Sequence, residues 1–241
     1  MKEMIKQVLK SSMFGKKIYP LIQRSYRSVA IPMKRRRLQR HGVDALHKVH
    51  TILSECNVDY YADWGTLLGI IREGGFIRHD DDIDLTIVDS KTNPQVLLNR
   101  LLGNGFKFIH VLKNNNGIVE FSVSWMKLSI DFFFRIPVGH PGKVGIADVY
   151  YDPDIKYETP DQNSYKVWLF DEAIKTKIIT FRGVEIRIPD KPEEMLEFEY
   201  GQEWRSPISN WSTDGLTGRY EAKDDFVIRV TKLNDVMLNE Q

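Results

Sequence analysis

The sequence predicts a fold of the α+β class, with strands and helices mixed along one chain. Short runs rich in β-branched and aromatic residues recur between residues 58 and 188, and such runs are typical of strands. Segments with apolar residues at helical spacing lie before, between and after them, and they predict flanking helices. With 241 residues, of which 42% are apolar, the chain is long enough for one large domain with a real core.

A basic N-terminal arm, residues 1–41, precedes an acidic body, residues 42–241. The arm has twelve Lys and Arg residues and one acid, a balance of +11, whereas the body has 22 basic and 32 acidic residues, a balance of −10. Its apolar residues predict an amphipathic helical arm, broken near Gly15 and Pro20. Packing on the acidic body and attachment to an anionic membrane explain the arm equally well. No nucleic-acid module accompanies the arm, so we expect no nucleic-acid partner.

The single cysteine, Cys56, excludes a disulfide within the chain and favours a reducing compartment. Its apolar neighbours at helical spacing predict a buried structural thiol. The sequence has no apolar stretch of about 20 residues that could span a bilayer, and the N-terminus lacks the apolar core of a signal peptide. We therefore expect a cytoplasmic protein, peripheral at the inner face of the membrane where the arm binds anionic lipid.

Three elements are predicted ahead of the first acidic segment. In chain order they are an amphipathic helix, a short strand and a short helix: residues 40–57, 58–64 and 67–73. Gly65-Thr66 forms the turn between the last two elements. Gly74-Gly75 ends the short helix, because glycine suits the left-handed cap position.

The remaining elements are mostly strands. Seven strands are predicted at residues 83–88, 106–112, 118–125, 128–134, 168–170, 177–181 and 184–188, and two helices at residues 94–102 and 193–200. Asn114 to Gly117 is a tight turn that joins two of the strands in a hairpin. Residues 137–161 and 202–219 are predicted to be loops. The sequence of the C-terminal segment is compatible with a helix and predicts nothing more.

Four aspartates are crowded at the start of the strand that ends at Val88. They are Asp80, Asp81, Asp82 and Asp84. Because side chains alternate along a strand, Asp80, Asp82 and Asp84 should point one way and Asp81 the other. Carboxylates on one face raise one another's pKa unless a cation lies among them. Mg²⁺ is the simplest such cation, with Mn²⁺ as the alternative.

Asp131 lies at the centre of the apolar run Leu128 to Phe134, where an ionised carboxylate is costly unless it is paired or bound to a metal. An acidic pair on one strand, a third acid on a neighbouring strand and a Gly-Thr turn together suit metal and phosphate chemistry. The carboxylates would hold the metal, and the turn would hold phosphate oxygens. The metal would activate the attacking oxygen and neutralise the leaving group.

These motifs resemble the LicD/fukutin family of the nucleotidyltransferase superfamily. The similarity rests on Gly65-Thr-Leu-Leu-Gly-Ile-Ile-Arg72, on Asp80-Asp-Asp-Ile-Asp84 and on the closing Met195-Leu-Glu-Phe-Glu-Tyr-Gly201, and it covers roughly residues 42–207. It implies a nucleotidyltransferase-like mixed β-sheet with flanking helices. It also implies a phosphotransferase that moves a phospho-alcohol, phosphocholine being the leading example, from a CDP-linked donor to a hydroxyl of a glycan or glycolipid.

The resemblance implies roles for individual residues. Asp82, Asp84 and Asp131 would be the catalytic metal ligands, with Asp131 as either a ligand or the base for the acceptor hydroxyl. Arg72 would reach a phosphate oxygen, because a guanidinium suits that geometry. Gly65 and Thr66 would also hold phosphate.

Arg78 and His79 depart from the family pattern, since many members have Pro-Trp before the acids. Both residues would belong to the phosphate- or nucleotide-binding side of the site. His79 has three readings: a general base, a phosphate contact or a spacer at the rim.

Two other functions stay open. One is a true nucleotidyltransferase that moves a nucleoside monophosphate, and the other is a non-catalytic domain that keeps the acids as a metal site. Ribitol, glycerol and ethanolamine phosphates are alternatives to phosphocholine. Five aromatic residues are candidates for a cation–π cage around a quaternary ammonium, although aromatic residues are more often core: Trp64, Tyr150, Tyr151, Trp204 and Trp211.

Overall fold

The computed structural model describes residues 13–88, 91–114, 117–137, 143–149, 165–171, 174–207, 219–221 and 229–231. These residues form a six-stranded mixed sheet, a four-stranded sheet, a two-stranded sheet and helices that pack beside them. The predicted α+β class is therefore confirmed.

The described helices are α1 (Met13–Glu55), α2 (Trp64–Leu68), α3 (Pro94–Gly103) and α4 (Pro192–Tyr200), and a π-helical turn, Gly69–Glu73, continues α2. The described strands are β1 (Tyr60–Ala62), β2 (Asp82–Ile87), β3 (Lys107–Asn114), β4 (Gly117–Trp125), β5 (Leu128–Phe134), β6 (Ile136–Pro137), β7 (Lys143–Val149), β8 (Tyr165–Asp171), β9 (Thr176–Phe181), β10 (Val184–Pro189), β11 (Arg219–Glu221) and β12 (Arg229–Thr231).

The six-stranded sheet has the order β1-β2-β5-β4-β3-β12. Strands β2 and β5 run parallel, and every other neighbouring pair in this sheet is antiparallel. The central strands are largely buried; in β5, Leu128, Ile130 and Phe132 share one face and are almost completely inaccessible, whereas Ser129 and Asp131 lie on the other face. The predicted hairpin of β3 and β4 is present, and the acidic strand β2 lies second from the β1 edge of the sheet, beside β5.

The short helix after β1 begins earlier than predicted. Asp63 caps α2, and its side chain accepts a hydrogen bond from the backbone N–H of Trp64. The chain then widens into the π-helical turn, which ends at Gly74 in the left-handed conformation (φ 60°). The glycine stop that the sequence predicts is thus present, but the last turn has i→i+5 geometry, which recurs at functional sites.

Helix α1 contradicts the predicted breaks at Gly15 and Pro20. It runs without interruption from Met13 to Glu55. A proline inside a helix costs about 3 kcal/mol, and a long helix tolerates this cost when other turns are firmly packed. The C-terminal half of α1 is packed in this way, because Leu38, Leu46 and Leu53 are buried against the sheet. The helix passes through residue 41 and so joins the arm to the body without a break. The predicted domain boundary between residues 41 and 42 stays a prediction.

Three further expectations were wrong. Cys56 is exposed, because α1 ends at Glu55 and the thiol lies beyond its last buried turn. Residues 137–161, read as a loop, contain β7, and the end of the chain, read as helical at most, contributes β12 to the central sheet. Both strands are held by pairing with distant segments, which local composition does not reveal. No described helix is long and apolar enough to cross a membrane.

Gly69 in the π-helical turn has no room for a side chain. A Cβ atom there would lie 2.6 Å from the carbonyl oxygen of Gly75 and 3.0 Å from the backbone nitrogen of Ile77. We expect Gly69→Ala to lower the free energy of unfolding by about 2 kcal/mol, because backbone atoms cannot move aside cheaply. Urea denaturation measures this change. Gly103→Ala is the matched control, since a Cβ at Gly103 meets nothing within 4 Å; equal losses in the two variants would contradict the prediction.

Candidate active site

Parallel pairing of β2 and β5 brings three aspartates together. Asp84 lies directly opposite Asp131 in the register, and Asp82 lies opposite Ser129. Asp82 and Asp84 are two residues apart on one strand and so share a face. Neighbouring strands are about 4.8 Å apart, so the three side chains lie next to one another on the sheet. Asp80 precedes the strand and Asp81 does not join the group, because its carboxylate pairs with Lys34 at 3.2 Å.

The three carboxylates are electrostatically costly where they stand. Burial raises the pKa of Asp82 to about 7, and the negative charge of Asp131 adds to the shift. Burial, followed by the charges of Asp82 and Asp131, raises the pKa of Asp84 well above its ordinary value. Burial also raises the pKa of Asp131. Each of these carboxyls therefore resists ionisation unless positive charge is supplied nearby.

The donor set fits a hard divalent cation. Within the described residues, no three His, Cys, Asp or Glu side chains already stand at the spacing of a metal's ligand shell. Like-charged carboxylates without a cation repel one another, so a tight shell is not expected before the metal binds. Asp82, Asp84 and Asp131 supply only oxygen ligands, which suits Mg²⁺.

Asp131 is oriented by side chains on its own strand and on the strand beside it. Ser129 donates a hydrogen bond to its Oδ1 at 3.3 Å, and Ser122, which faces it on β4, offsets part of its raised pKa by hydrogen bonding. His110 Nε2 lies 3.1 Å from both Ser122 Oγ and Glu120 Oε1. Burial alone would lower the pKa of His110, but the hydrogen bond and charge of Glu120 outweigh it and raise the net value. None of these supporting residues was identified from the sequence: Ser129 is an ordinary polar residue on β5, and Ser122, Glu120 and His110 come close only because β4 and β3 fold beside it.

Thr66 links α2 to the acidic strand. Its side chain is buried, and its Oγ1 accepts a hydrogen bond from the backbone N–H of Asp84 at 3.0 Å. Gly65 lies beside Asp80, since a Cβ atom on this glycine would be 2.6 Å from Asp80 Oδ2. Gly65 and Thr66 were predicted as a turn before the helix, but both lie in the first turn of α2, which is in direct contact with the acidic strand. Thr66 therefore has a structural role, and its phosphate contact stays a prediction.

A buried carboxyl pair, Asp63 and Glu199, lies beneath the site. Asp63 accepts a hydrogen bond from Thr86 Oγ1 at 2.5 Å, and its backbone N–H donates to Asp84 O at 3.0 Å. Burial, followed by the charge of Asp63, raises the pKa of Glu199 well above its ordinary value. Burial also raises the pKa of Asp63. Both side chains are fully inaccessible, so the pair favours a protonated carboxyl.

Neither member of this pair was identified from the sequence. The available signal for Glu199 was its position on α4, four residues after the buried Met195, where an apolar residue is expected. The signal for Asp63 was its place just before the Gly-Thr turn.

Arg72 lies close to the acids, whereas Arg78 and His79 lie at the exposed rim. The side chain of Arg72 is 13% exposed and donates to Trp204 O at 3.3 Å and to Glu73 Oε1 at 2.8 Å. Burial raises the pKa of Asp80, and the positive charges of His79 and Arg72 offset part of that shift.

The described aromatic candidates belong to the core. Trp64 makes edge-on contacts with Phe133 and Phe170, at centroid distances of 6.5 and 6.2 Å. Trp204 is buried, and the guanidinium of Arg205 lies 4.3 Å from its ring centroid. Tyr150, Tyr151 and Trp211, the other three candidates for an ammonium cage, lie outside the described residues.

The hydrogen bond between Asp84 and Thr66 can be tested directly. We expect Thr66→Val to speed hydrogen exchange of the Asp84 amide by about tenfold or more, because the substitution removes the acceptor and leaves a buried N–H unpaired. Thr66→Ser keeps the hydroxyl and should leave the exchange rate close to that of the natural protein. Amide exchange followed by NMR measures both. Equal rates in the valine and serine variants would show that this bond does not protect the amide.

The raised pKa of Asp82 predicts a pH effect in the metal-free protein. Its pKa is about 7 in the folded state against 3.8 in the unfolded chain, so its contribution to stability is present below pH 3.8 and is lost as the pH rises to 7. In EDTA above pH 7, Asp82→Asn should therefore raise the free energy of unfolding by about 2–4 kcal/mol, and the gain should shrink toward pH 4.

Urea denaturation across this pH range measures the difference. The control is Asp44→Asn, which removes the same charge from an exposed position on α1. A pH-independent gain in Asp82→Asn, or the same gain in Asp44→Asn, would contradict the prediction.

Two known proteins are similar in sequence to this chain. The chain is 28% identical over 207 residues to the Caenorhabditis elegans uncharacterized protein T07A5.1, an alignment that covers 76% of this chain and 51% of the relative. It is 29% identical over 98 residues to the Rickettsia typhi uncharacterized protein RT0683, covering 37% of this chain and 32% of the relative. The chain thus spans about half of the nematode protein and about a third of the bacterial one.

The family model described as LicD/FKTN/FKRP, nucleotidyltransferase domain, matches residues 57–191, more than half of the chain. The matched range contains β2 and β5 with their three aspartates, as well as the Gly-Thr turn. It ends just before α4, and it leaves out α1. This chain belongs to the LicD/FKTN/FKRP family of nucleotidyltransferase-domain proteins.

Proposed function

We propose that the chain is a metal-dependent phosphotransferase that moves a phospho-alcohol, such as phosphocholine, from a CDP-linked donor to a hydroxyl of a glycan or glycolipid. The observation that carries the proposal is the register of β2 and β5, which sets Asp84 opposite Asp131 with Asp82 on the same face. Family membership supports a transferase of phosphorus-containing groups in general. The donor, the acceptor and the metal are the proposed refinements.

Asp82, Asp84 and Asp131 would hold Mg²⁺, or Mn²⁺ as an alternative. When bound, such an ion neutralises charge on the donor's diphosphate and activates the attacking oxygen. The protein's own contribution is to keep the three carboxylates beside one another on the sheet. Because two of them lie on one strand and the third on the parallel neighbour, the sheet itself maintains this arrangement.

Asp131 is the residue best placed to receive the proton of the attacking hydroxyl. Its Oδ1 accepts a hydrogen bond from Ser129, and Ser122 and His110 support it from β4 and β3. A side chain held in this way needs little reorganisation when the acceptor arrives. General-base catalysis by a positioned carboxylate typically contributes about 10²–10⁴-fold to a rate.

The donor's phosphates would lie between the Gly-Thr turn and Arg72. Gly65 presents bare backbone beside Asp80, and the hydroxyl hydrogen of Thr66 is the group that would donate to a phosphate oxygen. The buried Nε of Arg72 has no hydrogen-bond partner among the described residues, which supports a role in binding an anion. Arg78 and His79 would contact the outer part of the donor.

We also propose that the reaction takes place in the cytoplasm, at the inner face of the membrane. The basic composition of residues 1–41 supports this location, since each Lys or Arg near an anionic surface contributes about 1 kcal/mol.

The reaction is tested by incubating the protein with Mg²⁺, a panel of glycan acceptors and labelled donors. The donors are CDP-choline, CDP-ribitol, CDP-glycerol, CDP-ethanolamine and each nucleoside triphosphate. Release of CMP together with a labelled acceptor is the expected result. Release of diphosphate would instead identify a nucleotidyltransferase. Retained Mg²⁺ binding without turnover of any donor would identify a non-catalytic metal-binding domain.

Substitution of the acids tests the site assignment. We expect Asp82→Asn and Asp84→Asn each to lower the transfer rate about a hundredfold or more, because the charge that develops in the transition state loses its stabilising partner. The matched control is Asp81→Asn, which removes an adjacent carboxylate that pairs with Lys34. Its rate should stay near that of the natural protein. Near-full activity in the Asp82 or Asp84 variant would show that the metal site lies elsewhere.

A further inference from the structure

A groove of about 400 Å³ opens between α1 and the segment that leads to the acidic strand. Its lining residues are Arg35, Arg36, Gln39 and Arg40 from α1, and Arg78 from the segment before β2. Four of these five side chains carry a permanent positive charge. The α1 residues form two adjacent pairs four positions apart, as expected for one side of a helix, and Arg78 lines the groove from a distant part of the chain.

The two walls of the groove are fixed to each other. Gln39 Nε2 donates to Phe76 O at 3.2 Å and to Ile77 O at 3.3 Å, immediately before Arg78. One turn further along α1, a Cβ atom on Gly42 would lie 2.5 Å from the ring of Phe76, so the helix and this segment are in close contact. The arginines are therefore held together by the fold, although their like charges repel.

The arginines of the groove lie close to the acidic segment, residues 80–84. Among the residues that the structure describes, no carboxylate forms an ion pair with Arg35, Arg36, Arg40 or Arg78. Lys34, the adjacent base on α1, instead pairs with Asp81. The Nε atom of Arg35 is buried and has no hydrogen-bond partner within the described residues. A buried donor without a partner is costly, and a bound anion would remove that cost.

We infer that this groove binds the phosphate groups of an anionic ligand. A guanidinium presents parallel N–H donors that match two phosphate oxygens, and several guanidiniums on two walls can surround a diphosphate or a phosphomonoester. The groove is distinct from the acidic face, which would repel such an anion without a metal. Most of its lining comes from α1, outside the matched residues 57–191, so it is a feature of this chain beyond the family domain.

The position of the groove gives it a role beside the acidic site. Arg78 is two residues before Asp80 and four before Asp82, and the pair of Lys34 with Asp81 joins α1 to the same segment. A phosphate held there would lie next to the acidic strand. The groove's phosphate binding rests on the arginines alone and not on the proposed transfer reaction.

Calorimetric titration of the full chain with inorganic pyrophosphate in EDTA tests the inference. Chelation of divalent metals removes the competing contribution of the acidic site. We expect the affinity of the double variant Arg36→Gln/Arg40→Gln for pyrophosphate to fall by about tenfold or more, because the variant lacks two charge-assisted contacts. Both side chains are exposed, so the fold should survive, and thermal unfolding checks this. The control is Arg37→Gln, which removes one positive charge from the same helix at a residue that does not line the groove.

A second arm of the experiment separates a soluble phosphate from a lipid headgroup. Sedimentation with vesicles of phosphatidylcholine, alone or mixed with phosphatidylglycerol, is compared for the same three proteins. If the groove variant loses pyrophosphate binding but still binds the mixed vesicles, and the control keeps both, the ligand is a soluble phosphate. If the groove variant loses binding to the mixed vesicles but still binds pyrophosphate, the ligand is a lipid phosphate. If the groove variant matches the natural protein in both arms, or if Arg37→Gln weakens binding equally, the inference fails. The transfer assay is unaffected by that outcome and can succeed or fail separately.

Discussion

The parallel pairing of β2 with β5 is the constraint on which the candidate site depends. It places Asp84 opposite Asp131 and keeps Asp82 on the same face, so the fold holds together groups that repel one another. Burial makes this arrangement more costly still, as the raised pKa values of all three carboxyls indicate. Proteins tolerate such cost mainly where the arrangement has a function. The sheet supplies the rigidity, because the register fixes both acidic strands along their whole length.

A second layer of contacts ties this pair of strands to its surroundings. Thr66 accepts a hydrogen bond from the Asp84 backbone, and Asp63 donates to the carbonyl of the same residue. The turn after β1 therefore holds Asp84 from two directions. On the other side, Ser122 and His110 support Asp131. The acids thus lie on a framework in which every contacting element comes from a different part of the chain, which is typical of sites that need fixed geometry.

Much of the fold follows from local sequence signals. Alternating and apolar runs identified the core strands β2, β4 and β5, and the acids were assigned to neighbouring strands because each lies in such a run. What the sequence did not contain was pairing: nothing local indicates that β2 and β5 are parallel or that β12 joins β3. Glu199 was missed although it occupies an apolar position of α4, because its pairing with the buried Asp63 is not visible in the sequence. The arginine groove likewise depends on contact between residues about 40 positions apart.

The uninterrupted course of α1 has a mechanical consequence. At 1.5 Å per residue, a helix of 43 residues is about 65 Å long. Its C-terminal half is locked into the core, and Gln39 and Lys34 join its middle to the residues around the acidic strand. A continuous helix anchored in this way couples the position of its N-terminal turns to that of the site. Whatever the N-terminal turns attach to sets the direction in which the groove and the acidic face open, and this would let the chain present its site to a surface at a fixed angle.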